Sequence, residues 1–257
     1  MSSGNVVSAG PRIIIRRAQL DYPLVRDQSS IKAAVFGALG FKSGPRVDKK
    51  VVHAVNGLSL TINRGERVGF IGHNGAGKST LLRAMAGVYP LTDGTIEVTG
   101  RMQGLFDLGT GFESEATGRQ NIMYRGLSIG FTPRQIRERE EEIIAFSDLG
   151  EFIDLPMRTY SAGMYVRLGF AVSTYLEGDI LLVDEVFGAG DANFQERAIR
   201  RMNELIERAG ILIMVGHDMG LMCSICTRLI WLSGGQMVLD GDPREVAEVY
   251  LKSMKAA

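Results

Sequence analysis

A glycine-rich stretch followed by a lysine and a serine is the strongest chemical signal in the chain. Residues 72–79 read GHNGAGKS and fit the pattern G-x-x-x-x-G-K-[ST], between a predicted strand and a predicted helix. Glycines let the backbone wrap closely around phosphates, and a helix start adds positive potential. We expect Lys78 to reach the β- and γ-phosphates of a nucleotide and Ser79 to hold Mg²⁺. A glycine-rich turn with a surface lysine is the alternative.

The predicted phosphate cradle extends one residue beyond the motif. Its members are Gly72, His73, Asn74, Gly75, Ala76, Gly77, Lys78, Ser79 and Thr80. Within this set, the side chain of His73 is expected to face solvent or a neighbouring residue.

Two acidic residues end a predicted buried strand further along the chain. The run DILLVDE closes with Asp184 and Glu185, and ligands of α/β sheets sit at the carboxyl ends of strands. Asp184 is predicted to bind Mg²⁺, directly or through water, and Glu185 to orient and polarise the attacking water. Either acid alone could be a loop carboxylate, but their position downstream of the glycine-rich loop favours catalysis.

A second helix start with anion-binding character begins at Ser161. Ser161, Ala162 and Gly163 stand at the N-terminus of a predicted helix, where unpaired N–H groups and a hydroxyl can bind an anion. The stretch lies too far along the chain to belong to the first cradle. In a symmetric pair of chains, one helix start from each copy can contact the same nucleotide.

Strands that alternate with helices must position these residues. The predicted strands cover residues 12–19, 51–62, 66–71, 179–184, 211–215, 228–233 and 236–240. The predicted helices cover residues 78–87, 117–149 (with a helix start at Pro133), 161–177, 192–209, 218–226 and 243–254. Alternation of this kind predicts an α/β fold with a largely parallel sheet. Because helical signals dominate residues 112–178, we interpret them as an inserted helical subdomain, with the core at 12–111 and 179–257.

The bulk composition is that of an ordinary globular protein. Hydrophobic residues make up 45% of 257, and 29 Lys and Arg balance 29 Asp and Glu, so charge gives no reason to expect a nucleic-acid partner. No run of 18 apolar residues and no secretory start occurs, which predicts a cytoplasmic location. Cys223 and Cys226 are expected to pack as small apolar residues on a helix rather than form a redox pair.

The order of the motifs resembles the ATP-binding subunits of ABC transporters over about residues 12 to 250. Their signature loop usually reads Leu-Ser-Gly-Gly-Gln. The variant YSAGM at 160–164 resembles the form in exporters of O-antigen, capsular polysaccharide and teichoic acid, as does the stretch LFDLGTGFESEATGRQNI. GAGDANF, with Asp191, resembles the D-loop of the family, and VGHDM, with His217, resembles its switch histidine.

This resemblance implies a P-loop NTPase core of the ABC type that binds ATP and Mg²⁺. It implies a homodimer with two ATP molecules between the copies, and an integral membrane permease as a partner. The subunit would be peripheral to the cytoplasmic face of the inner membrane and would power polysaccharide export. Asp191 would contact the nucleotide, and His217 would contact the γ-phosphate, although a lone histidine after a strand can be structural.

Two further site residues are expected from the resemblance. Tyr22 is the candidate that stacks on adenine, and a core tyrosine is the alternative. Glu113 aligns with the glutamine that senses Mg²⁺ in most relatives, and a glutamate there could still bind metal. His53 is interpreted as structural.

Other functions and one unusual segment complete the sequence expectations. An ABC-type ATPase that acts on ribosomes or DNA is disfavoured, because only 83 positions without a heptad tract separate Lys78 from Ser161. A P-loop kinase or GTPase leaves the Ser161 stretch unexplained. Residues 26–50, with an apolar centre between basic flanks, form either a short interfacial helix that faces the membrane or a loop that packs on its own domain.

Overall fold

The computed structural model describes residues 10–24, 50–106, 108, 111–184 and 192–255. Within them the strands are β1 Arg12–Leu24, β2 Lys50–Asn63, β3 Arg67–Ile71, β4 Asp93–Thr99, β5 Met102–Leu105, β6 Ile180–Asp184, β7 Ile211–Val215, β8 Arg228–Ser233 and β9 Gln236–Gly241. The helices are α1 Lys78–Met85, α2 Gly118–Ser128, α3 Pro133–Ser147, α4 Ala162–Tyr175, α5 Ala192–Arg208, α6 Met219–Ile225 and α7 Pro243–Lys255. Short 3₁₀ turns at Gly150–Asp154 and Met157–Thr159 connect α3 to α4.

The main sheet has six strands in the order β5-β6-β7-β3-β8-β9. All neighbouring pairs are parallel except β8 and β9, which confirms the predicted α/β fold with a largely parallel sheet. Every residue of β7 is buried, as expected for a parallel strand that is covered on both faces. Asp184 at the end of β6 pairs with Val215 at the end of β7, so these carboxyl ends meet at one edge.

A separate antiparallel sheet, in the order β2-β1-β4, was not predicted. The sequence interpretation ended the first strand at residue 19, but β1 continues to Leu24. Pro23 is tolerated there because the pairing of β1 with β4 ends at Gln19, so Pro23 faces only β2.

The sequence prediction missed two strands, β4 and β5. Most side chains of β4 are exposed, so this edge strand lacks a continuous apolar pattern. The four residues of β5 contain Gln103 and Gly104, which weaken the strand signal. Gln103 is nevertheless buried, because its side chain donates to the Ser173 carbonyl at 2.6 Å and accepts from the Gly178 N–H at 3.0 Å.

The helices α2, α3 and α4 pack around a hydrophobic core of their own. Ile122, Ile136, Ile143 and Leu168 are fully buried in it. Capping boxes start α2 at Thr117 and α3 at Thr132. We call α2, α3, α4 and their connections the helical lobe; the proposed domain limits at 112 and 178 stay a prediction.

The two cysteines lie where apolar packing predicts them. Cys226 is buried after α6, and burial raises the pKa of its thiol to about 12, so the thiol stays protonated at neutral pH. Cys223 donates from Sγ to the Pro243 carbonyl at 3.4 Å. Both are free thiols.

The expectations about membrane contact have different outcomes. None of the helices in the described residues has the length and apolar character needed to cross a bilayer. Both interpretations of the segment 26–50 concern residues that, apart from Lys50, lie outside the described ones.

Candidate nucleotide-binding site

A sharp loop connects β3 to α1 and shapes the first half of the site. Gly77 precedes α1 with a φ of 101°, in the left-handed region. A Cβ at this position would lie 2.0 Å from the Ala54 carbonyl oxygen on β2, so both the backbone angle and the close contact require glycine. No side chain caps α1, which leaves its first N–H groups without the usual side-chain acceptor.

The side chain of Lys78 folds back over this loop. Its Nζ donates to the Gly72 carbonyl at 2.7 Å and to the His73 carbonyl at 3.0 Å. These bonds hold a partly buried ammonium group among the atoms of the loop. An ammonium held in this way can bind an anion through charge-assisted hydrogen bonds.

A cavity of about 200 Å³ lies between the loop and the ends of β6 and β7. Its lining consists of Asn74, Gly75, Gly77, Lys78, Ser79, Thr80, Asp184 and Val215. Six of the nine predicted cradle residues therefore meet Asp184 around one cavity. The hydroxyl of Ser79 and the carboxylate of Asp184 are hard oxygen donors, so this lining fits Mg²⁺.

The remaining cradle residues support the cavity from outside its lining. Gly72 and His73 contribute the carbonyls that accept from Lys78, and Ala76 is buried. The His73 side chain is exposed and contacts two neighbours. Its Nδ1 lies 2.8 Å from the Asn74 carbonyl oxygen, and its Nε2 lies 3.4 Å from the Ser233 hydroxyl.

His217 follows β7 and lines a neighbouring cavity of about 290 Å³. Val215 belongs to the lining of both cavities, so the histidine lies next to the cradle. The sequence analysis did not identify Val215. As the last residue of a buried strand that pairs with Asp184, it could have been found from its position.

The structure does not bring Tyr22 or Glu113 into the lining of the cavity beside Lys78. Tyr22 is 39% exposed and packs edge-on against Tyr89, with ring centroids 6.3 Å apart. Its exposure disfavours the core alternative. Glu113 is exposed, and one carboxylate oxygen accepts from the Glu115 N–H at 3.2 Å.

His53 and Asp21 form a pair on the antiparallel sheet. His53 Nδ1 lies 2.8 Å from Asp21 Oδ1. Hydrogen bonds from Gln19 and then from His53 hold the pKa of the Asp21 carboxyl below its usual range. This pairing agrees with the structural interpretation of His53.

The second helix start is open to solvent. Ser161 caps α4, and its Oγ accepts from the Met164 N–H at 3.3 Å. Ser161, Ala162 and Gly163 are all exposed. A Cβ at Gly163 would meet only the Ser161 hydroxyl, at 3.8 Å. None of the three residues lines the Lys78 cavity. Within one chain, the start of α1 and the start of α4 therefore lie on different surfaces.

The predicted residues Glu185 and Asp191 lie outside the described residues. Sequence reasoning also overlooked Asn121, which is fully buried on α2 and hydrogen-bonds the loop that carries Glu113. An asparagine in the first turn of a helix was an available but unspecific signal.

A glycine loop between a parallel strand and a helix, with lysine and serine at the start of that helix, defines the P-loop class of nucleotide-binding folds. Residues 55–188 match the family model described as ABC transporter. An O-antigen export system ATP-binding protein of Yersinia enterocolitica is 40% identical over 87% of this chain and 95% of its own length. The protein of the same description from Myxococcus xanthus is 42% identical over 82% of this chain, which spans only 48% of that relative.

A solved structure gives the same fold. The dimeric, post-hydrolysis state of an ATP-binding cassette with ADP and Pi superposes with a TM-score of 0.64 over 90% of this chain and 99% of the other, at 19% identity. Together with the family match, these findings show that the chain belongs to the ATP-binding proteins of the ABC transporter family, which bind ATP.

Proposed function

We propose that this chain is the ATP-hydrolysing subunit of an ABC transporter that exports a lipid-linked polysaccharide. Two copies would enclose two ATP molecules, each bound by the cradle of one chain and the Ser161 helix start of the other. ATP would close the dimer, and hydrolysis would let it open.

One observation carries the proposal of a shared site. The cavity beside Lys78 contains a lysine, a hydroxyl and a carboxylate, whereas the Ser161–Gly163 helix start is exposed and absent from that lining. A twofold arrangement of two copies lets each exposed helix start face the cavity of the other copy. The dimeric state of the solved cassette agrees with such an arrangement.

Within the cavity, the chain's own groups would divide the work. Lys78 would exchange its loop carbonyls for the β- and γ-phosphate oxygens, and Ser79 and Asp184 would hold Mg²⁺. When bound, the metal neutralises charge on the phosphates. Tyr22 would stack on adenine, and Asp191 and Glu113 would act at the edges of the nucleotide and metal.

Hydrolysis would require a correctly oriented water. Glu185 would accept a hydrogen bond from the water whose oxygen attacks the γ-phosphorus, while the bond to the β–γ bridging oxygen breaks. The products are ADP and inorganic phosphate, and one proton of the water passes to the solvent. His217, next to the cavity, would contact the γ-phosphate and stabilise the charge that develops there.

The cargo and the membrane partner are inferred from the relatives. Proteins described as O-antigen export ATP-binding proteins match most of this chain at about 40% identity. We therefore propose a permease subunit as the partner, with this chain on the cytoplasmic face of the inner membrane. The helical lobe would transmit closure of the dimer to the permease.

The proposal is tested with a Glu185→Gln variant of the full chain. This variant should bind ATP, form dimers in its presence and hydrolyse ATP at no more than about 1% of the wild-type rate, since one catalytic group is missing. Glu248→Gln, on the exposed face of α7, serves as the control. Turnover by Glu185→Gln at the wild-type rate would refute the role of Glu185.

The proposed cargo has its own test. Affinity purification of the full chain from its native membranes should recover a permease with many spans that supports transport of a polysaccharide lipid. Recovery of a permease for amino acids or metal ions would contradict polysaccharide export, while leaving the ATPase proposal intact.

A further inference from the structure

One buried asparagine determines the shape of the loop before α2. We call residues 113–117 the pre-α2 loop. Asn121 is fully buried. It accepts from the Glu113 N–H at 2.8 Å and donates to the carbonyls of Glu113 and Thr117, both at 2.9 Å. A buried amide is costly unless its hydrogen bonds are made, so the loop and the asparagine fix each other.

The pre-α2 loop is in turn bonded to the segment that leads into α4. We call residues 156–160 the pre-α4 segment. Backbone hydrogen bonds of 2.9 Å run from Met157 N–H to the Ala116 carbonyl and from Arg158 N–H to the Ser114 carbonyl. An isolated antiparallel bridge joins Thr117 to Pro156. These links are backbone bonds, which fix relative position more firmly than an exposed ion pair does.

The pre-α4 segment is also anchored at its last residue. Tyr160 donates its hydroxyl to the Phe152 carbonyl at 2.7 Å. A Cβ at Gly118 would lie 2.3 Å from that hydroxyl, so the ring end is packed against the first residue of α2. Because Tyr160 directly precedes Ser161, this contact limits how the start of α4 can move.

Aromatic contacts make a second connection between the same two regions. Phe112, just before the pre-α2 loop, lies with its ring centroid 6.1 Å from that of Tyr165 in the first turn of α4. Tyr165 also packs edge-on against Tyr160 at 5.9 Å. The loop, the segment and the helix start are therefore joined by hydrogen bonds and by ring packing.

From these contacts we infer that Asn121 is a positioning residue for the Ser161 helix start. It acts through the pre-α2 loop and the pre-α4 segment. The position of the Ser161 helix start, which would contact ATP bound to a second copy, therefore depends on a side-chain amide that does not itself contact ATP. The inference rests on the proposed function, since it presupposes that Ser161 binds ATP across a dimer. It predicts that loss of Asn121 weakens the closed dimer without weakening ATP binding to the cradle.

The test uses the full chain carrying Glu185→Gln, with and without Asn121→Ala, and ATP as the probe. Two quantities are measured: the ATP concentration for half-maximal binding to the monomer, and the protein concentration for half-maximal ATP-driven dimerisation. We expect the first to change by less than about twofold and the second to rise about tenfold or more, as expected for loss of one to two hydrogen bonds.

Two further variants separate positioning from general destabilisation. Gln135→Ala removes the capping box of α3 in the same lobe without touching the pre-α2 loop, and should leave dimerisation unchanged. Tyr160→Phe removes only the hydroxyl that donates to Phe152, and should weaken dimerisation less than Asn121→Ala does. If Asn121→Ala does not fold, Tyr160→Phe against Gln135→Ala decides the question.

The outcomes are distinguishable. If the Glu185→Gln chain dimerises with ATP, and the same chain carrying Asn121→Ala dimerises equally well, the inference is wrong and the proposed function stands. Equal weakening by Asn121→Ala and Gln135→Ala, at matched loss of thermal stability, also overturns it. If the Glu185→Gln chain without Asn121→Ala binds no ATP or never dimerises, the proposed function is wrong, and the inference that rests on it is wrong as well.

Discussion

The two helix starts of the candidate site differ in how much of their surroundings one chain supplies. At α1, Gly77 lies so close to the backbone of β2 that no Cβ would fit. Lys78 lines the cavity and is hydrogen-bonded to the loop. At α4, Ser161 and Gly163 face solvent, with free space around them. The first half is therefore preorganised by the fold, whereas the second half becomes a site only when a second copy covers it, according to the proposed function.

The largest expected effect concerns the preorganised half. Lys78→Ala removes the ammonium that the loop holds and should lower the ATPase rate by about 100-fold or more, as removal of one preorganised donor commonly does. Steady-state phosphate release measures it. Lys252→Ala, on the exposed face of α7, is the matched control and should change the rate by less than about twofold. Normal hydrolysis by Lys78→Ala would show that the cavity is not the ATP site.

The same substitution at two glycines tests the comparison directly. Gly77→Ala forces a left-handed angle on alanine and a contact of 2.0 Å with the Ala54 carbonyl, so it should lower the free energy of unfolding by at least about 2 kcal/mol. Gly163→Ala occupies open space in the first turn of a helix. It should leave that free energy unchanged or raise it by up to about 1 kcal/mol, while weakening ATP-driven dimerisation.

Urea unfolding and sedimentation together measure this pair of variants. The comparison fails if both alanines destabilise the chain equally. It also fails if Gly163→Ala dimerises with ATP as well as the unaltered chain does, because the open helix start would then carry no phosphate contact.

The difference between the two halves also explains how well each could be predicted from sequence. The cradle follows from local chemistry, because Gly77, Lys78 and Ser79 are consecutive and their roles depend on one turn. The strand Ile211–Val215 was predicted with its observed limits, since a buried parallel strand is a continuous apolar run. Local pattern was sufficient in both cases.

Features that depend on distant partners were not predicted. The antiparallel sheet depends on the pairing of β1 with β4, and β4 contains only two apolar side chains larger than glycine, Ile96 and Val98, with most of its residues exposed. The packing of Tyr22 on Tyr89 joins residues far apart in sequence. The role of Asn121 depends on carbonyls of a loop whose path the sequence does not specify. Such features are set by tertiary contacts rather than by residue type or spacing.

A smaller effect separates the capping of α4 by Ser161 from the phosphate contact proposed for the same residue. Its hydroxyl caps α4, so Ser161→Ala should cost about 1 kcal/mol of stability. Ser161→Asp keeps a good capping group and should retain the stability to within about 0.5 kcal/mol. It nevertheless places a negative charge where the phosphates of a second copy's ATP would approach, so dimerisation with ATP should be lost. An aspartate variant that dimerises normally would contradict the proposed contact across the dimer.

The smallest effect concerns how the lobe that carries the open helix start is held together. Arg119 on α2 donates from Nε to Asp154 Oδ1 at 2.8 Å and from Nη1 to Glu140 on α3 at 2.7 Å. The hydrogen bond from Arg119 holds the pKa of the Asp154 carboxyl below its usual range. Because this pKa is lowered in the folded state, the stabilisation is complete above the unfolded value of about 4 and is lost as pH falls through the folded pKa.

Asp154→Asn imitates this acid state at neutral pH. Hydrogen exchange should become faster at the amides of α2, whereas the amides of β7, whose residues are all buried, should exchange as before. Because Asp154 is exposed, the change should be small. If β7 accelerates as much as α2, the lobe and the sheet unfold as one unit. The open helix start would then be as rigidly held as the cradle, and the contrast between the two halves would lie in solvent exposure alone.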